Sequence, residues 1–290
     1  MKLLNFTKEN ETQIGVKTDK GILDLKEVGA LLNESVPQSM EELVKKDVVS
    51  KIADMIKRAE TKNVHYLPEA EIKFEPSMTK PEKIVCVGLN YLDHIEEVQN
   101  EDVPKSPVLF SKFNNALAAH NENIPFPKYG ENVDYEAELV LVIGKKAKDV
   151  SKEEALDYVF GYSAGNDLSV RDLQFRQSQW LLGKTTDKFA PVGPYIVTAD
   201  EVDPSNLAIS CKRNGELVQQ STTQHMIFDC AAIVSYVSQH MTLQPGDLIF
   251  TGTPNGVIQG YPEQEREWLK PGDELEVTIE KIGTLKNTIV

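Results

Sequence analysis

The sequence of 290 residues predicts an α+β fold dominated by β-structure, with a small N-terminal domain ahead of a larger one. Three observations support this fold class. Short apolar runs between turn signals indicate strands near both ends of the chain. Apolar side chains at helical spacing occupy residues 40–58. An uninterrupted apolar run at 137–143 is typical of a strand that is covered on both faces.

The N-terminal region predicts strands followed by a helix. Turn signals at Glu9-Asn10 and Asp19-Lys20-Gly21 divide residues 1–25 into short strands. The helical spacing at 40–58 follows, and two prolines then stand in a polar stretch that resists regular structure. We therefore expect a small N-terminal domain at 1–75, a linker at 76–82 and a larger domain at 83–290.

Composition excludes several classes of function. A hydrophobic content of 40% and a charged content of 26% are typical of a soluble globular protein. The net charge of −14 argues against a nucleic-acid partner, since such binding needs basic surface. There is no signal peptide and no apolar run of about 20 residues, so we expect a cytoplasmic protein that does not bind a membrane.

The cysteines give no sign of a disulfide framework or a zinc site. Cys86, Cys211 and Cys230 are odd in number, widely spaced and set among apolar neighbours. We expect three buried free thiols.

The acidic pair Glu136 and Glu138 points to a cation site. Residues two apart on a strand share a face, and Val140 and Val142 continue that face into an apolar run. Neighbouring carboxylates in a partly desolvated site raise each other's pKa, and a hard divalent cation relieves this repulsion. The alternative is a pair that points into solvent at a strand end.

A third carboxylate, Asp167, returns to this pair after an intervening element. Ser151 and Glu154 form a capping box that predicts a helix over 151–160. A glycine-bounded strand then ends at Asn166-Asp167, where the chain can meet the glutamates again.

The residues after Asp167 suggest a polar site on one helical face. Asp167, Arg171 and Gln174 recur at i, i+4 and i+7. The alternative is a helix N-cap at Asp167 with an Asp–Arg pair on the surface.

A second candidate site lies upstream, after a short apolar strand at 83–88. If the next segment forms a helix, His94 and Glu97 share a face at i and i+3. A carboxylate that orients an imidazole makes a minimal general base. The alternative is a solvated pair on a surface helix.

Three further features are less specific. The proline-bounded loop at 102–107 is a candidate lid. Lys112 and Lys184 are each expected to be solvated, although a lysine near a metal site can stabilise an oxyanion. The glycine-rich loop at 251–256 lacks the signature of a phosphate loop, so its backbone N–H groups and Thr253 are candidates for holding a carboxylate, or the loop is a plain turn.

Several motifs occur in a fixed order, and together they are specific: Glu136-Ala-Glu138, Gly161-Tyr-Ser-Ala-Gly-Asn-Asp167, Arg171-Asp-Leu-Gln174, Trp180-Leu-Leu-Gly-Lys184, Pro191-Val-Gly-Pro194 and Thr251-Gly-Thr253-Pro-Asn-Gly256. From about residue 83 to the C-terminus, the chain resembles the fumarylacetoacetate hydrolase family, in particular fumarylpyruvate or acylpyruvate hydrolases and hydroxymuconate isomerases. The resemblance implies a curled mixed β-sheet or β-roll in the C-terminal domain, a small α/β N-terminal domain and a homodimer.

The resemblance also implies roles for nine residues: Glu136, Glu138 and Asp167 as metal ligands, His94, Glu97 and Lys184 as catalytic groups, and Arg171, Gln174 and Thr253 as substrate-binding groups. The expected metal is Mg2+ or Mn2+, with Ca2+ as an alternative, and the expected partner is a small keto acid. The expected reaction is hydrolysis of a carbon–carbon bond in a 2,4-diketo acid of the acylpyruvate, fumarylpyruvate or fumarylacetoacetate type.

Two alternatives to this hydrolase stay open. The same centre can decarboxylate oxaloacetate, isomerise or decarboxylate a hydroxymuconate-type diacid, or interconvert keto and enol forms. In a different class, a dimeric binding protein would keep the fold without activity, and would have no need of His94, Glu97, Lys184 and the three acidic ligands together.

Overall fold

The computed structural model describes residues 1–97 and 103–290, and these form a mixed α+β fold dominated by strands. The predicted fold class is confirmed. The strands are β1 (Lys2–Lys8), β2 (Glu11–Thr18), β3 (Gly21–Asp24), β4 (Lys73–Glu75), β5 (Ile84–Gly88), β6 (Val108–Lys112), β7 (Leu117–Ala118), β8 (Asn123–Ile124), β9 (Val133–Asp134), β10 (Ala137–Ile143), β11 (Val159–Asn166), β12 (Ser169–Val170), β13 (Ala190–Thr198), β14 (Ala208–Arg213), β15 (Glu216–Thr222), β16 (Leu248–Phe250), β17 (Glu274–Ile279) and β18 (Gly283–Ile289). The α-helices are α1 (Leu25–Leu32), α2 (Met40–Lys46), α3 (Val49–Glu60), α4 (Leu92–Glu97), α5 (Arg171–Gln174), α6 (Leu181–Lys184) and α7 (Cys230–His240).

Eleven of the described strands form one large sheet. Its order is β3-β2-β1-β13-β11-β10-β16-β5-β6, with β4 on β1 and β7 on β13. Most neighbours are antiparallel, but β16 runs parallel to β5 and β7 runs parallel to β13, so the sheet is mixed. A second sheet has the order β15-β14-β17-β18-β8, and β9 pairs with β12.

The N-terminal strands continue the large sheet. Strand β1 pairs with β13 through Lys2 opposite Val197 and Leu3 opposite Ile196. The three predicted strands in residues 1–25 are present as a meander, and the turns between them fall at the predicted positions. The division into domains at residue 75 stays a prediction.

Strand β10 is covered on both faces, as its sequence predicts. Leu139 and Leu141 pack in a cluster that includes the second sheet and α7. Val140 and Val142 pack in a different cluster, with α2 and α3. Burial of each such side chain contributes about 1.5–3 kcal/mol, so both faces stabilise the strand that carries the acidic pair.

The helical region predicted at 40–58 is divided in the structure. The region 40–58 contains two helices, because Asp47 adopts a left-handed conformation with φ of 48° that ends α2 before α3 begins. A Pro-Gly-Asp turn occurs twice, at 245–247 and 271–273, and each turn leads into a strand, β16 of the large sheet and β17 of the second sheet. The predicted lid at 102–107 falls partly outside the described residues.

The predicted helix over 151–160 is wrong. The capping turn forms, since the Ser151 hydroxyl accepts the Glu154 N–H at 3.3 Å. Only a 3-10 turn follows, Ala155–Tyr158, because Val159 already pairs with Ile143 in the sheet. Pairing between β10 and β11 therefore overrides the helical signal, and it brings Asp167 back to the acidic pair.

The three cysteines are buried and free, as predicted. Burial raises the pKa of each thiol, which keeps the thiols protonated and poorly nucleophilic. Separately, within the described chain we find no helix whose length and apolar content would allow it to cross a bilayer.

One half-buried histidine, His120, makes stability depend on pH. The His120 ring packs edge-on against Phe74 with centroids 4.8 Å apart, and its Nδ1 accepts the Lys286 N–H at 3.1 Å. Burial lowers the pKa of His120 from 6.5 to about 4, with Glu69 opposing the shift and Lys286 adding to it. The unfolded chain therefore takes up a proton before the folded chain does, so stability is lost as the pH falls through this window.

We expect His120→Asn, which keeps an acceptor but does not titrate, to reduce this acid destabilisation. Allowing for the partial exposure of the ring, the fall in unfolding free energy from pH 7 to pH 4 should shrink by about 2 kcal/mol. Urea unfolding of both proteins across this range measures the difference. The exposed residue His225, changed to Asn, is the control, and equal slopes for all three proteins would contradict the prediction.

Candidate active site

Three carboxylates meet at one end of β10 and β11. Glu136 precedes β10, Glu138 lies within it, and Asp167 directly follows β11. The antiparallel register places Ala137 opposite Asn166, and the Asp167 N–H donates to the Glu136 carbonyl at 2.9 Å. One oxygen of each carboxylate lies within 4.8 Å of the others, and all three side chains are buried. The structure therefore brings the predicted metal ligands together.

Two of these carboxylates have capacity for a cation. Glu138 accepts the Gly252 N–H at 2.6 Å, and in the described part of the chain no lysine or arginine pairs with it. The buried Oδ1 atom of Asp167 has no hydrogen-bond donor. Burial raises the pKa of Glu138, and the charges of Asp167 and Glu136 raise it further. Oxygen ligands in this state fit a hard divalent cation.

Two cations, Lys184 and Arg171, contact the acidic trio, which is formed by Glu136, Glu138 and Asp167. The Lys184 ammonium donates to Glu136 at 2.7 Å and to Asp167 at 3.0 Å. The Arg171 guanidinium donates to Glu136 at 2.7 Å and to Asp134 at 2.9 Å. Burial alone would raise the pKa of Glu136, but Lys184 and Arg171 outweigh it and the pKa is lowered. Glu136 is therefore held as an anion.

Lys112 is buried, so the prediction of a solvated side chain is wrong. Its ammonium donates to the carbonyls of Leu168 at 2.9 Å, Phe189 at 2.7 Å and Lys184. These three acceptors use its three protons. Asp167 Oδ1 lies 2.6 Å away and is attracted by the charge alone, which explains why this oxygen lacks a donor.

With all four of its carboxylates ionised, the buried cluster would carry one net negative charge, and the raised pKa of Glu138 opposes that state while no cation is bound. Four carboxylates, Asp134, Glu136, Glu138 and Asp167, face three cations, Lys112, Arg171 and Lys184. A divalent cation would change the balance to one positive charge, which suits an anionic ligand. The chemistry of the donor set therefore agrees with the predicted Mg2+ or Mn2+ and with an acidic substrate.

The predicted His–Glu pair forms on α4. The Nδ1 atom of His94 lies 3.3 Å from Glu97 Oε2, at the predicted i, i+3 spacing. The other oxygen of Glu97 accepts the Gly256 N–H at 2.8 Å. Since Nδ1 faces the carboxylate, Nε2 is the nitrogen that remains for proton transfer.

His94 lines a cavity of about 450 Å3 together with Glu136 and Glu138, and Asp167 lies behind these two glutamates within 4.8 Å of them. An aromatic wall closes one side, where Phe110 and Trp180 pack edge to face at 5.5 Å and Lys184 lies 5.0 Å from the Phe110 ring. The cavity is lined by Val87, Gly88, Leu89, His94, Phe110, Glu136, Glu138, Arg171, Gln174, Phe175, Trp180, Lys184, Thr253 and Gln259. A cleft of about 1000 Å3 beside the N-terminal strands is larger, but none of the trio lines it.

The three predicted substrate-binding residues line this cavity too. Arg171 and Gln174 lie on α5, but β12 separates them from Asp167, so the predicted continuous helical face is wrong. Gln174 Oε1 accepts from Arg171 at 2.9 Å, which turns the amide nitrogen of Gln174 away from Arg171. Thr253 Oγ1 accepts from Gln219 at 2.9 Å and keeps its own proton to donate.

Sequence reasoning missed several residues that hold the site in place. Asp134 binds Arg171, and Lys112 contacts Asp167. Asn166 Oδ1 accepts the Glu136 N–H at 3.0 Å, and Gln219 accepts the Ala137 N–H at 3.0 Å. Lys112 is the last residue of β6, so no local pattern marked it as buried.

The fold and the site together define a mixed-sheet protein with a buried acidic trio beside a His–Glu pair. Residues 83–290 match the family described as "Fumarylacetoacetate (FAA) hydrolase C-terminal", and the chain belongs to this family. The predicted family is thereby confirmed.

Named relatives are similar over nearly the whole chain. The "Fumarylacetoacetate hydrolase domain-containing protein 2 homolog" of Dictyostelium discoideum is 42% identical over 293 residues, which cover 97% of this chain and 93% of that protein. "Oxaloacetate tautomerase Fahd2a, mitochondrial" of Rattus norvegicus is 38% identical over 100% of this chain and 92% of its own length. A solved maleylpyruvate hydrolase from Sphingobium sp. SYK-6, in complex with manganese (II) ion and pyruvate, is 28% identical with a TM-score of 0.81, covering 100% of this chain and 99% of that one.

Proposed function

We propose that this protein is a divalent-metal-dependent tautomerase that interconverts the keto and enol forms of oxaloacetate or a similar 2-keto diacid. One observation carries the proposal: three buried carboxylates lie within 4.8 Å of one another, and two of them, Glu136 and Glu138, line a cavity with His94 and Lys184. Similarity to the rat protein named as an oxaloacetate tautomerase supports the choice of substrate. This choice replaces C–C bond hydrolysis, the reaction expected from the sequence, as the leading function.

The acidic trio would hold Mg2+ or Mn2+. When bound there, the cation supplies Lewis-acid polarisation of the substrate's 2-keto group. Similarity to a hydrolase whose structure contains manganese and pyruvate supports this use of the trio. Asp167 Oδ1 and Glu138 are the oxygens with capacity for it, as described above.

In this mechanism His94 moves one proton between carbon and oxygen. Its Nε2 takes a proton from C3 of the keto form and returns it to the C2 oxygen, which balances the reaction. Glu97 orients the ring through Nδ1 and stabilises the imidazolium that forms. The Lys184 ammonium, whose pKa is raised by Asp167 and Glu136 against the effect of burial, stays charged and stabilises the negative charge that develops on oxygen.

Two neutral groups are placed to hold a carboxylate of the substrate. The amide nitrogen of Gln174 and the hydroxyl of Thr253 line the cavity with donors whose orientation is set by Arg171 and Gln219. Arg171 itself is bonded to Asp134, Glu136 and Gln174, so we assign it the orientation of these groups. Preorganised donors of this kind lower the entropic cost of substrate positioning.

The test is a spectrophotometric assay of the enol form of oxaloacetate. The protein is loaded with Mn2+ or Mg2+, and the loss of enol absorbance is compared with that caused by the same concentration of free metal. We expect acceleration with metal and none after chelation. A rate equal to that of free metal would overturn the proposal.

A second candidate is hydrolysis of a 2,4-diketo acid at its carbon–carbon bond. The His94–Glu97 pair favours it, because the same geometry can deprotonate a water. Release of pyruvate from acetylpyruvate or fumarylpyruvate distinguishes hydrolysis from tautomerisation, and release of carbon dioxide from oxaloacetate identifies a decarboxylase.

We expect His94→Ala to lower kcat for tautomerisation by about 100-fold to 10,000-fold, the usual contribution of a general base. Binding of Mn2+, measured by calorimetry, should stay unchanged because His94 is not among the acidic ligands. The exposed His225, changed to Ala, is the matched control. Unchanged turnover in the His94 variant would remove the residue from the mechanism.

Two further properties are part of the proposal. One is a homodimer, which the family resemblance implies, and the other is a cytoplasmic location, although the rat relative is named as mitochondrial. A calorimetric titration that shows no binding of Mg2+ or Mn2+ would favour instead a non-catalytic dimeric binding protein.

A further inference from the structure

The loop at 256–260 contacts Glu97 more closely than any side chain would allow. The Gly256 N–H donates to Glu97 Oε1 at 2.8 Å. At Gly260, an added methyl group would overlap the Cγ and Cδ atoms of Glu97. The φ angle of Gly260 is negative, so the backbone conformation does not demand glycine there. An added methyl group would instead displace the flexible end of the Glu97 side chain.

The other side of this loop is fastened to the strand segment that carries the metal ligands. The Asp134 carboxylate accepts the N–H groups of Ile258 at 2.9 Å and Gln259 at 3.0 Å. The Tyr135 hydroxyl donates to the Gly256 carbonyl at 2.9 Å. Asp134 and Tyr135 directly precede Glu136, so three consecutive residues connect the loop to the acidic trio.

Charge reinforces this connection. Asp134 is fully buried and receives two N–H groups of the loop as well as the Arg171 guanidinium. Charge-assisted hydrogen bonds of this kind are about twice as strong as neutral ones, so the loop is held firmly. The same guanidinium bonds Glu136, which gives the loop and the acidic trio a common partner.

We propose that the 256–260 loop is a positioning element for the His94–Glu97 pair, with Gly260 as the residue that permits its contact with Glu97. The loop fixes one oxygen of Glu97, so that the other faces His94 Nδ1. It also sets the distance between this pair and the acidic trio, because the loop is bonded to Asp134 and Tyr135, and the next residue, Glu136, belongs to the trio. This inference rests on the proposed role of His94 in proton transfer.

The test is a double-mutant cycle between Gly260→Ala and Glu97→Ala. Gly260→Ala should lower kcat for enol oxaloacetate by about 10-fold to 100-fold, the range seen when a supporting contact to a reactive group is lost. KM and Mn2+ affinity should change by less than about twofold, because neither the trio nor the carboxylate donors move. In the Glu97→Ala background, Gly260→Ala should cause no further loss, since it acts through Glu97.

Gly29→Ala is the matched control. Gly29 lies in α1, and its added methyl group would lie 2.8 Å from the Glu34 carbonyl oxygen, so it introduces a steric clash away from the cavity. It should destabilise the protein and leave kcat unchanged. Equal kcat losses in Gly29→Ala and Gly260→Ala would assign the effect to general destabilisation and refute the proposal.

Tyr135→Phe provides a second variant if Gly260→Ala fails to fold. It removes only the hydroxyl bonded to Gly256, so we expect a smaller loss of kcat, about 3-fold to 10-fold, that disappears in the Glu97→Ala background. Additive losses would overturn the proposal. If His94→Ala has no effect, the proposed function itself fails, whereas loss in His94→Ala with full activity in Gly260→Ala and Tyr135→Phe refutes only the loop's role.

Discussion

Replacing Glu138 by glutamine is expected to stabilise the metal-free protein and to abolish its response to Mn2+. Glu138 is buried beside Glu136 and Asp167, and burial and these two charges raise its pKa. Glutamine keeps an oxygen that accepts the Gly252 N–H and removes the repulsion. The same change removes one of three anionic ligands, so we expect Mn2+ affinity and tautomerase kcat/KM each to fall by at least about 100-fold.

The two expected effects have opposite signs, since stability without metal rises while affinity for Mn2+ falls. Thermal unfolding should show a higher Tm than wild type without metal, and a smaller rise in Tm on adding Mn2+, because only a ligand bound to the folded state stabilises it. Glu216→Gln, at an exposed position of β15, is the control for the loss of one negative charge. Wild-type affinity for Mn2+ in the Glu138 variant would remove the trio from the metal site.

The parts of this site that sequence predicts are those with a local period. A spacing of two placed Glu136 and Glu138 on one face, and the apolar residues after them predicted a strand covered on both sides. A spacing of three placed His94 and Glu97 on one face of a short helix. Each pattern extends over a few residues, and each is present in the structure.

The parts that sequence did not predict depend on contacts between distant residues. Lys112 bonds carbonyls 56 to 77 residues away, and Asp134 bonds a loop 124 residues away. A lysine near the end of a strand is normally solvated, so nothing local indicated burial. The prediction of a helix over 151–160 was wrong for the same reason. Its helical signal is local, whereas the pairing of Val159 with Ile143 joins residues that are distant in sequence.

The residues that support the site also act through contacts between distant parts of the chain. Asp134, Asn166 and Gln219 each bond a backbone N–H group near the trio, and this fixes the main chain from which the reactive side chains project. Such bonds satisfy buried polar groups that would otherwise cost about 1–3 kcal/mol each. These bonds therefore hold the backbone of the site in place.

Lys112→Met is expected to destabilise the metal-free protein by about 3–5 kcal/mol, the usual cost of breaking a buried ion pair from one side. Methionine keeps an unbranched side chain that is one heavy atom shorter than lysine, so most of the loss comes from the charge and little from a cavity. The carbonyls of Leu168, Lys184 and Phe189 lose their donor, and Asp167 loses a cation 2.6 Å from its Oδ1 atom.

Bound Mn2+ should recover part of this loss, since it would replace the missing positive charge beside Asp167. The variant should therefore show a larger metal-induced gain in unfolding free energy than wild type, which is the opposite of the response expected for Glu138→Gln. Chemical denaturation with and without Mn2+ measures both quantities, with Lys212→Met, at an exposed position of β14, as the control. If Lys112→Met were no less stable than this control, the buried ammonium would not be what holds Asp167 and the backbone of Lys184 together.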